Sequence, residues 1–126
     1  AAFDVFEGEF PLLVDRAIAL AQGSPARVIV LSIPDYSVTP YGQQIDAEGT
    51  IAAEIDAYNA FAGVVAEIRG VAFVDVTDIS RRALEEPELV ARDGLHPSAQ
   101  MYALWAARLR PVVRNILVPR LGASSW

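Results

Sequence analysis

The chain of 126 residues contains no cysteine, no lysine, a single histidine and a single methionine. Without cysteine it can build no disulfide framework, no thiolate nucleophile and no zinc-ribbon site. The 10 basic residues are all arginine, and 16 acidic residues outnumber them, so the net charge is -6 at pH 7. Because the phosphate backbone repels a protein of this charge, the composition argues against a nucleic-acid partner.

Long hydrophobic runs are also missing. A charged residue, a proline or a glycine interrupts every apolar stretch before it reaches the roughly 20 residues that a membrane span requires. The sequence therefore predicts no membrane-spanning segment. Hydrophobic residues still make up 53% of the chain against 21% charged residues, which excludes intrinsic disorder. The length fits one domain around one core.

Predicted helices and short apolar strands alternate along the chain. Helical periodicity predicts helices over 9–22, over 50–68 and after Ser98, and we expect Pro111 to kink or break the last one. Continuous apolar runs predict two strands, over 28–33 and 71–76, that are buried on both faces as in a parallel sheet. Residues 34–49 show no period and predict a long loop. The pattern indicates an α/β layered fold.

Two strands do not make a stable open sheet by themselves. We therefore expect the remaining strands to come from a preceding segment, from a separate chain or from a second copy of this chain. The sequence starts at Ala1 and its only methionine is Met101, which favours a preceding segment.

The sharpest motif is the 93–97 segment, Asp-Gly-Leu-His-Pro, which carries the only histidine. A carboxylate that accepts a hydrogen bond from Nδ1 of an imidazole fixes its tautomer and leaves Nε2 free to take a proton from a nucleophile. The spacing of Asp93 and His96 allows this arrangement. It equally allows a structural histidine that is bonded to Asp93 for local order alone, and the spacing does not choose between the two.

The 93–97 segment, followed by a polar residue and an aromatic-bearing helix, resembles the last conserved block of the SGNH hydrolases, also called GDSL esterases or lipases. The order of strand, helix and strand upstream matches as well. The resemblance implies a flavodoxin-like three-layer α/β/α fold, a serine esterase that uses no cofactor, His96 as general base and Asp93 as its orienting carboxylate. The chain departs from the family pattern because it has no Gly-Asp-Ser block and no oxyanion-hole glycine and asparagine blocks.

None of the resident serines lies in a recognisable nucleophile turn. We expect Ser32 to pack inside its strand and Ser98 to cap the last helix. Ser37 is then the least implausible nucleophile, although none of the serines is a good candidate. Near the predicted site, the residues that could line a substrate pocket are Tyr36, Val38 and Leu95. A weaker alternative is a hard-cation site formed by Asp75, Asp78 and Asp93, although capping or solvation explains these residues better.

The sequence leaves two alternative functions open. In the first, residues 1–126 are the C-terminal part of one SGNH-like domain and supply the Asp and His of a triad that hydrolyses a small ester. The serine would then come from a missing N-terminal portion. In the second, the chain is a catalytically inactive module that acts through self-association or partner binding.

Overall fold

The computed structural model describes residues 2–124, with side chains described through residue 118. In chain order the elements are α1 (Ala2–Leu20), β1 (Ile29–Leu31), α2 (Pro40–Ile45), α3 (Ile51–Arg69), β2 (Ala72–Val74), α4 (Thr77–Arg81) and α5 (Ala99–Ser124). Short 3-10 turns occupy Pro25–Arg27, Arg82–Leu84 and Pro87–Leu89. The alternation of helices with short strands confirms the α/β class.

Strands β1 and β2 pair in parallel, and Val30 lies opposite Phe73. They are the two strands of the sheet within the described residues. Both strands are shorter than the predicted 28–33 and 71–76. One further bond, 3.0 Å from Ser32 N to the Val74 carbonyl, extends the ladder. Beyond it, side-chain hydrogen bonds replace the backbone ladder, and apolar sequence alone does not reveal that change.

One face of the sheet is covered by α1 and α3. Val14 of α1 and Val65 and Ala66 of α3 form a buried cluster, against which Val30 and Phe73 pack. Burying such side chains stabilises the layer by about 1.5 to 3 kcal/mol for each large one. Helix α5 also contacts β2. Helices therefore pack on a parallel sheet, as the predicted α/β fold requires.

Helix α1 begins at Ala2, so the predicted start at residue 9 was wrong. The additional turns carry Phe3 and Phe6, whose rings pack against Tyr58 of α3 with centroids 5.0 and 4.8 Å apart. Phe6 also stacks on Phe10 at 4.9 Å. The three- and four-residue spacing of these phenylalanines was the signal for the earlier start, since such residues share one helix face.

Two other predictions need correction. The segment 34–49 is not a loop throughout, because it contains α2, whose first residue is Pro40 and whose N-cap is Thr39. Of the two outcomes predicted for Pro111, a kink or a break, the break does not occur, because α5 runs through this residue. Pro111 removes one backbone bond, to the carbonyl of Ala107, but both residues are exposed and water can bond that carbonyl.

A second buried cluster lies near the carboxyl ends of the strands and joins α4 to α5. Its members are Ile79, Ala83, Leu89 and Met101. Among residues 2–124, the helices lack the combination of length and apolar character that crossing a membrane requires.

Candidate active site

The 93–97 segment folds as a tight loop in front of α5. Backbone bonds from Ala91 N to the His96 carbonyl (2.7 Å) and from Ser98 N to the Leu89 carbonyl (2.9 Å) close it at its base. Gly94 has a φ of 77°, a left-handed conformation that glycine adopts without strain. Ser98 Oγ accepts a bond from Met101 N, which confirms the predicted N-cap.

Asp93 is held by the main chain of this loop. Its Oδ1 accepts hydrogen bonds from the backbone N–H groups of Leu95 and His96, both at 3.0 Å. The backbone bond from Leu95, then the one from His96, and then the imidazole lower the pKa of Asp93 to about 2. Asp93 is therefore ionised at neutral pH and accepts hydrogen bonds only.

The second oxygen of Asp93 contacts the histidine ring. The distance from His96 Nδ1 to Asp93 Oδ2 is 2.5 Å. Because the carboxylate is ionised, Nδ1 carries a proton, and in the neutral form of the ring Nε2 then presents its lone pair. Both side chains are half or more exposed, at 69% for His96 and 50% for Asp93. This is the geometry of an oriented general base that a ligand can reach.

Helix α2 supports the loop from the side. Tyr41 N donates a 3.0 Å bond to the Gly94 carbonyl. Thr39 Oγ1 accepts from Gly42 N at 3.0 Å and donates to the Tyr36 carbonyl at 2.7 Å. Gly42 lies so close to the Tyr36 carbonyl that a Cβ would be 1.9 Å from its oxygen. The segment after β1 is therefore tied through α2 to the histidine loop.

Two of the three predicted pocket residues lie beside His96. Tyr36, Leu95 and His96 line one small cavity, together with Met101 and Trp105 of α5. Val38 lines a different groove, next to Pro40 and Gly94, and packs on the cluster that contains Met101. Tyr36 and Leu95 thus remain pocket candidates, whereas Val38 lies away from the cavity.

A polar network joins the carboxyl ends of the strands. Ser32 is buried and donates to Asp75 Oδ1 at 2.9 Å, and its Oγ accepts from Val76 N and Thr77 Oγ1 at 2.8 Å. Ser32 is therefore buried as predicted, but it lies just after β1 and not inside the strand. The side-chain amide of Asn59 in α3 forms two hydrogen bonds with the Ile33 backbone. Its Oδ1 accepts from the Ile33 N–H at 2.7 Å, and its Nδ2 donates to the Ile33 carbonyl at 3.0 Å.

Among the ion pairs of the described residues, Asp35 has the most buried carboxylate, with its side chain 1% exposed. It accepts from Ser37 N at 2.9 Å and from Arg81 Nε at 2.9 Å. Burial alone would raise the pKa of Asp35, but the hydrogen bonds from Ser37 and Arg81 outweigh it and lower the pKa. Asp35 and Asn59 were not predicted as site residues, because Arg81 lies 46 positions from Asp35 and Ile33 lies 26 positions from Asn59.

None of the described serine side chains is bonded to His96. Ser80 lines the same cavity, but its hydroxyl donates to the Thr77 carbonyl at 2.6 Å and accepts from Asp35 N at 2.8 Å. Ser37 offers a backbone N–H to Asp35. Ser124 and Ser125 lie outside the described side chains. Within the described residues, His96 therefore has no serine hydroxyl as a hydrogen-bond partner.

The acidic residues that were considered for a cation are engaged elsewhere. Asp75 is bonded to Ser32, Asp78 to Arg108 and Asp93 to His96. Within residues 2–124 no group of three or more His, Asp or Glu side chains could hold a metal ion.

Comparison with protein-family models matches residues 2–104 to the GDSL-like Lipase/Acylhydrolase family. The match begins in α1, includes both strands and α3, and extends past the histidine loop into α5. Searches of curated proteins and of solved structures gave no match. Because the matched region covers most of the chain and contains the Asp-Gly-Leu-His loop, the chain belongs to the GDSL-like lipase/acylhydrolase family of ester hydrolases.

Proposed function

We propose that this chain supplies the base and the orienting carboxylate of a serine esterase. The observation that carries the proposal is the contact of His96 Nδ1 with an Asp93 carboxylate that two backbone N–H groups hold in place. Family membership supports an ester as the substrate class.

In the proposed reaction, His96 Nε2 takes the proton of a serine hydroxyl while the serine oxygen attacks the ester carbonyl carbon. His96 then gives this proton to the oxygen of the leaving alcohol, and the acyl group stays on the serine. Water attacks the acyl-serine, His96 accepts its proton and returns it to the serine, and the carboxylic acid leaves. Asp93 keeps Nδ1 protonated and stabilises the imidazolium at each stage.

The serine in this proposal comes from a Gly-Asp-Ser segment outside these 126 residues. The chain contains no such block, and the hydroxyls of Ser32, Ser80 and Ser98 already take part in the polar network or cap α5. Nucleophile, base and oxyanion donors act as a unit, so we expect the chain alone to be close to inactive.

The test is labelling of the purified protein with a fluorophosphonate, which reacts with an activated serine. After denaturation, the intact mass of every polypeptide in the sample identifies the labelled one. We expect the label on a polypeptide that carries a Gly-Asp-Ser segment and not on the 13.6 kDa chain. His96→Ala should abolish both labelling and hydrolysis of an aryl acetate.

Labelling that persists in His96→Ala contradicts the assignment of His96 as the base. A label on the 13.6 kDa chain itself contradicts an external serine. If the sample contains only this chain, without label or hydrolysis, the second candidate function is favoured.

The second candidate is an inactive module that associates with a partner or with a second copy. Its support is strand β1, which pairs only with β2 in the described part of the chain and whose Leu31 is 37% exposed. An unpaired strand edge is a template for another strand.

A further inference from the structure

Charge is distributed unevenly along the chain. Residues 1–97 hold all 16 acidic residues and six arginines, for a net charge of -10, whereas residues 98–126 hold four arginines and no acidic residue. The basic segment includes the whole of helix α5. The overall net charge of -6 therefore conceals a basic helix at the end of an otherwise acidic chain.

One side of α5 packs against the rest of the protein. Its residues recur at helical spacing and are buried or partly buried, namely Met101, Trp105, Leu109, Val112 and Ile116. Arg108 is also engaged on the protein, because its Nη1 donates to the Asp75 carbonyl at 2.9 Å and to the Asp78 carboxylate. This arginine is therefore not available to a partner.

The opposite side of α5 is exposed. We call it the outer face, and its members, spaced by three and four residues, are Arg110, Val113, Arg114, Leu117 and Val118. Val113, Leu117 and Val118 are 39%, 52% and 56% exposed. Within the described residues neither Arg110 nor Arg114 forms an ion pair or a side-chain hydrogen bond. The outer face thus combines three exposed apolar side chains with two unpaired cations.

The mixture of side chains limits what can cover this face. Exposed apolar side chains that lie together mark interaction sites, and arginines among them call for anionic groups within a few ångströms of apolar material. The backbone of a nucleic acid offers phosphates without an apolar layer beneath them. An anionic lipid surface offers both, because guanidinium groups bind its phosphates while apolar side chains enter the acyl boundary by about 5 to 10 Å.

We propose that the outer face of α5 docks on an anionic lipid surface. Arg110 and Arg114 then bind lipid phosphates, and Val113, Leu117 and Val118 enter the boundary between headgroups and acyl chains. The helix lies along the surface and does not cross it. Salt screens charges beyond about 8 Å at physiological ionic strength, so a surface in contact with the outer face interacts mainly with its arginines. This inference does not rest on the proposed function.

The experiment is co-sedimentation of the full chain with vesicles. One set contains ether-linked phosphatidylcholine alone, and the other contains equal amounts of ether-linked phosphatidylcholine and phosphatidylglycerol. Ether-linked lipids carry no ester, so binding is measured without hydrolysis. We expect the chain to bind the vesicles that contain phosphatidylglycerol and not the others. The bound fraction should fall as the salt concentration rises.

Replacing both free arginines tests the electrostatic part. Arg110→Gln combined with Arg114→Gln should weaken binding about 30-fold, which is the effect of two charges near an anionic surface. The matched control is Arg16→Gln combined with Arg92→Gln, which makes the same change in net charge at exposed positions outside α5. It should bind as the parent chain does.

Replacing an apolar side chain tests insertion into the lipid. Leu117→Gln should weaken binding about 10-fold, because the leucine side chain no longer leaves water on binding. Leu12→Gln is the matched control, since Leu12 is 67% exposed on α1. These side chains are exposed, so we expect all the variants to keep the circular dichroism spectrum of the parent chain.

Three results would overturn the docking surface. The first is equal binding to both sets of vesicles, or binding to neither, and the second is full binding after both Arg110→Gln and Arg114→Gln. The third is full binding of Leu117→Gln, which would assign the face to a soluble acidic partner such as a second copy. Failure of vesicle binding leaves the role of His96 standing. Conversely, hydrolysis that survives His96→Ala removes the proposed function and leaves the docking surface.

Discussion

At the scale of single residues, two aspartates each accept two backbone N–H groups at one carboxylate oxygen and differ in their contact with the imidazole. Asp93 Oδ1 accepts from Leu95 N and His96 N, and Asp46 Oδ1 accepts from Thr50 N and Ile51 N at 2.9 and 3.3 Å. Only Asp93 also bonds an imidazole in the described contacts. Comparing the two residues can therefore separate the proposed catalytic role of Asp93 from the role of holding a turn.

Asp93→Asn should reduce ester turnover by about 10⁴-fold in the complete enzyme, because an amide at this position favours the wrong histidine tautomer. Asp46→Asn is the matched control and should leave turnover unchanged. The measurement is kcat/KM on an aryl acetate, with the folded state checked by circular dichroism. Full activity of Asp93→Asn would show that Asp93 does not orient the base.

Tyr36 tests whether the cavity wall sets the acyl preference. Tyr36→Ala should raise the ratio of aryl butyrate to aryl acetate hydrolysis by about 10-fold, since methylene-sized differences in a pocket are worth 1 to 3 kcal/mol. Tyr41→Ala is the control, because Tyr41 is exposed on α2 and does not line the cavity. An unchanged ratio in Tyr36→Ala would remove Tyr36 from the site.

Sequence reasoning at the residue scale succeeded where partners are close in the chain. The Asp93–His96 contact follows from a spacing of three, and its catalytic role stays a prediction. Trp105 carried no such signal, because a tryptophan at helical spacing predicts core packing whether or not its N–H finds an acceptor. In the folded chain this N–H is buried and has no hydrogen-bond partner among the described residues.

At the scale of elements, α2 is the part that the sequence analysis missed. Thr39-Pro40 is a regular helix start, with a capping side chain and a proline at the first position. The glycines and prolines around it are typical of a loop, and a helix of only six residues is too short to show a clear helical period. The predicted 50–68 and 71–76 elements contained strong periodic or β-branched patterns, and both were found with shifted ends.

Gly42→Ala tests whether α2 supports the histidine loop. A Cβ 1.9 Å from the Tyr36 carbonyl oxygen must push α2 away, and Tyr41 N then loses its bond to Gly94. We expect a loss of about 2 kcal/mol in the free energy of unfolding, typical of overpacking, measured by urea denaturation.

Gly8→Ala is the control for that substitution. Gly8 lies inside α1, and its Cβ would meet nothing within 4 Å. Helix propensity should then stabilise the protein by up to about 1 kcal/mol. Equal stability of the two variants would show that the contact between α2 and Tyr36 is unimportant.

At the scale of the whole molecule, paired carboxylates set the response to acid. Burial opposes ionisation of both Asp35 and Asp75. Hydrogen bonds from Ser37 and Arg81 nevertheless lower the pKa of Asp35. Hydrogen bonds from Thr77 and Ser32 lower the pKa of Asp75 in the same way. A lowered pKa in the folded state adds stability above the unfolded value near 3.9, and this stability is lost as the pH falls towards the folded pKa.

The free energy of unfolding should therefore decrease steadily below about pH 4. In Asp35→Asn the decrease should be smaller, with lower stability at pH 7, because Arg81 loses its buried partner. Urea denaturation at a series of pH values measures both. A pH dependence identical to that of the parent chain would show that Asp35 does not contribute.

Association is the second property of the whole molecule. If the β1 edge recruits another strand, the isolated chain should form dimers or larger species in light scattering after gel filtration. Leu31→Lys places a charge at that edge and should shift the chain to the monomer. Leu12→Lys, at an exposed position of α1, is the control. A monomeric parent chain would contradict association through β1.

The backbone anchoring of Asp93 has a further consequence for the proposed reaction. The N–H groups of Leu95 and His96 hold one carboxylate oxygen whether or not the imidazole is charged. The proton can then pass through His96 in both directions while the heavy atoms of the loop keep their positions. The dipoles around the reacting groups are already aligned before charge develops, so each transfer requires little reorganisation energy.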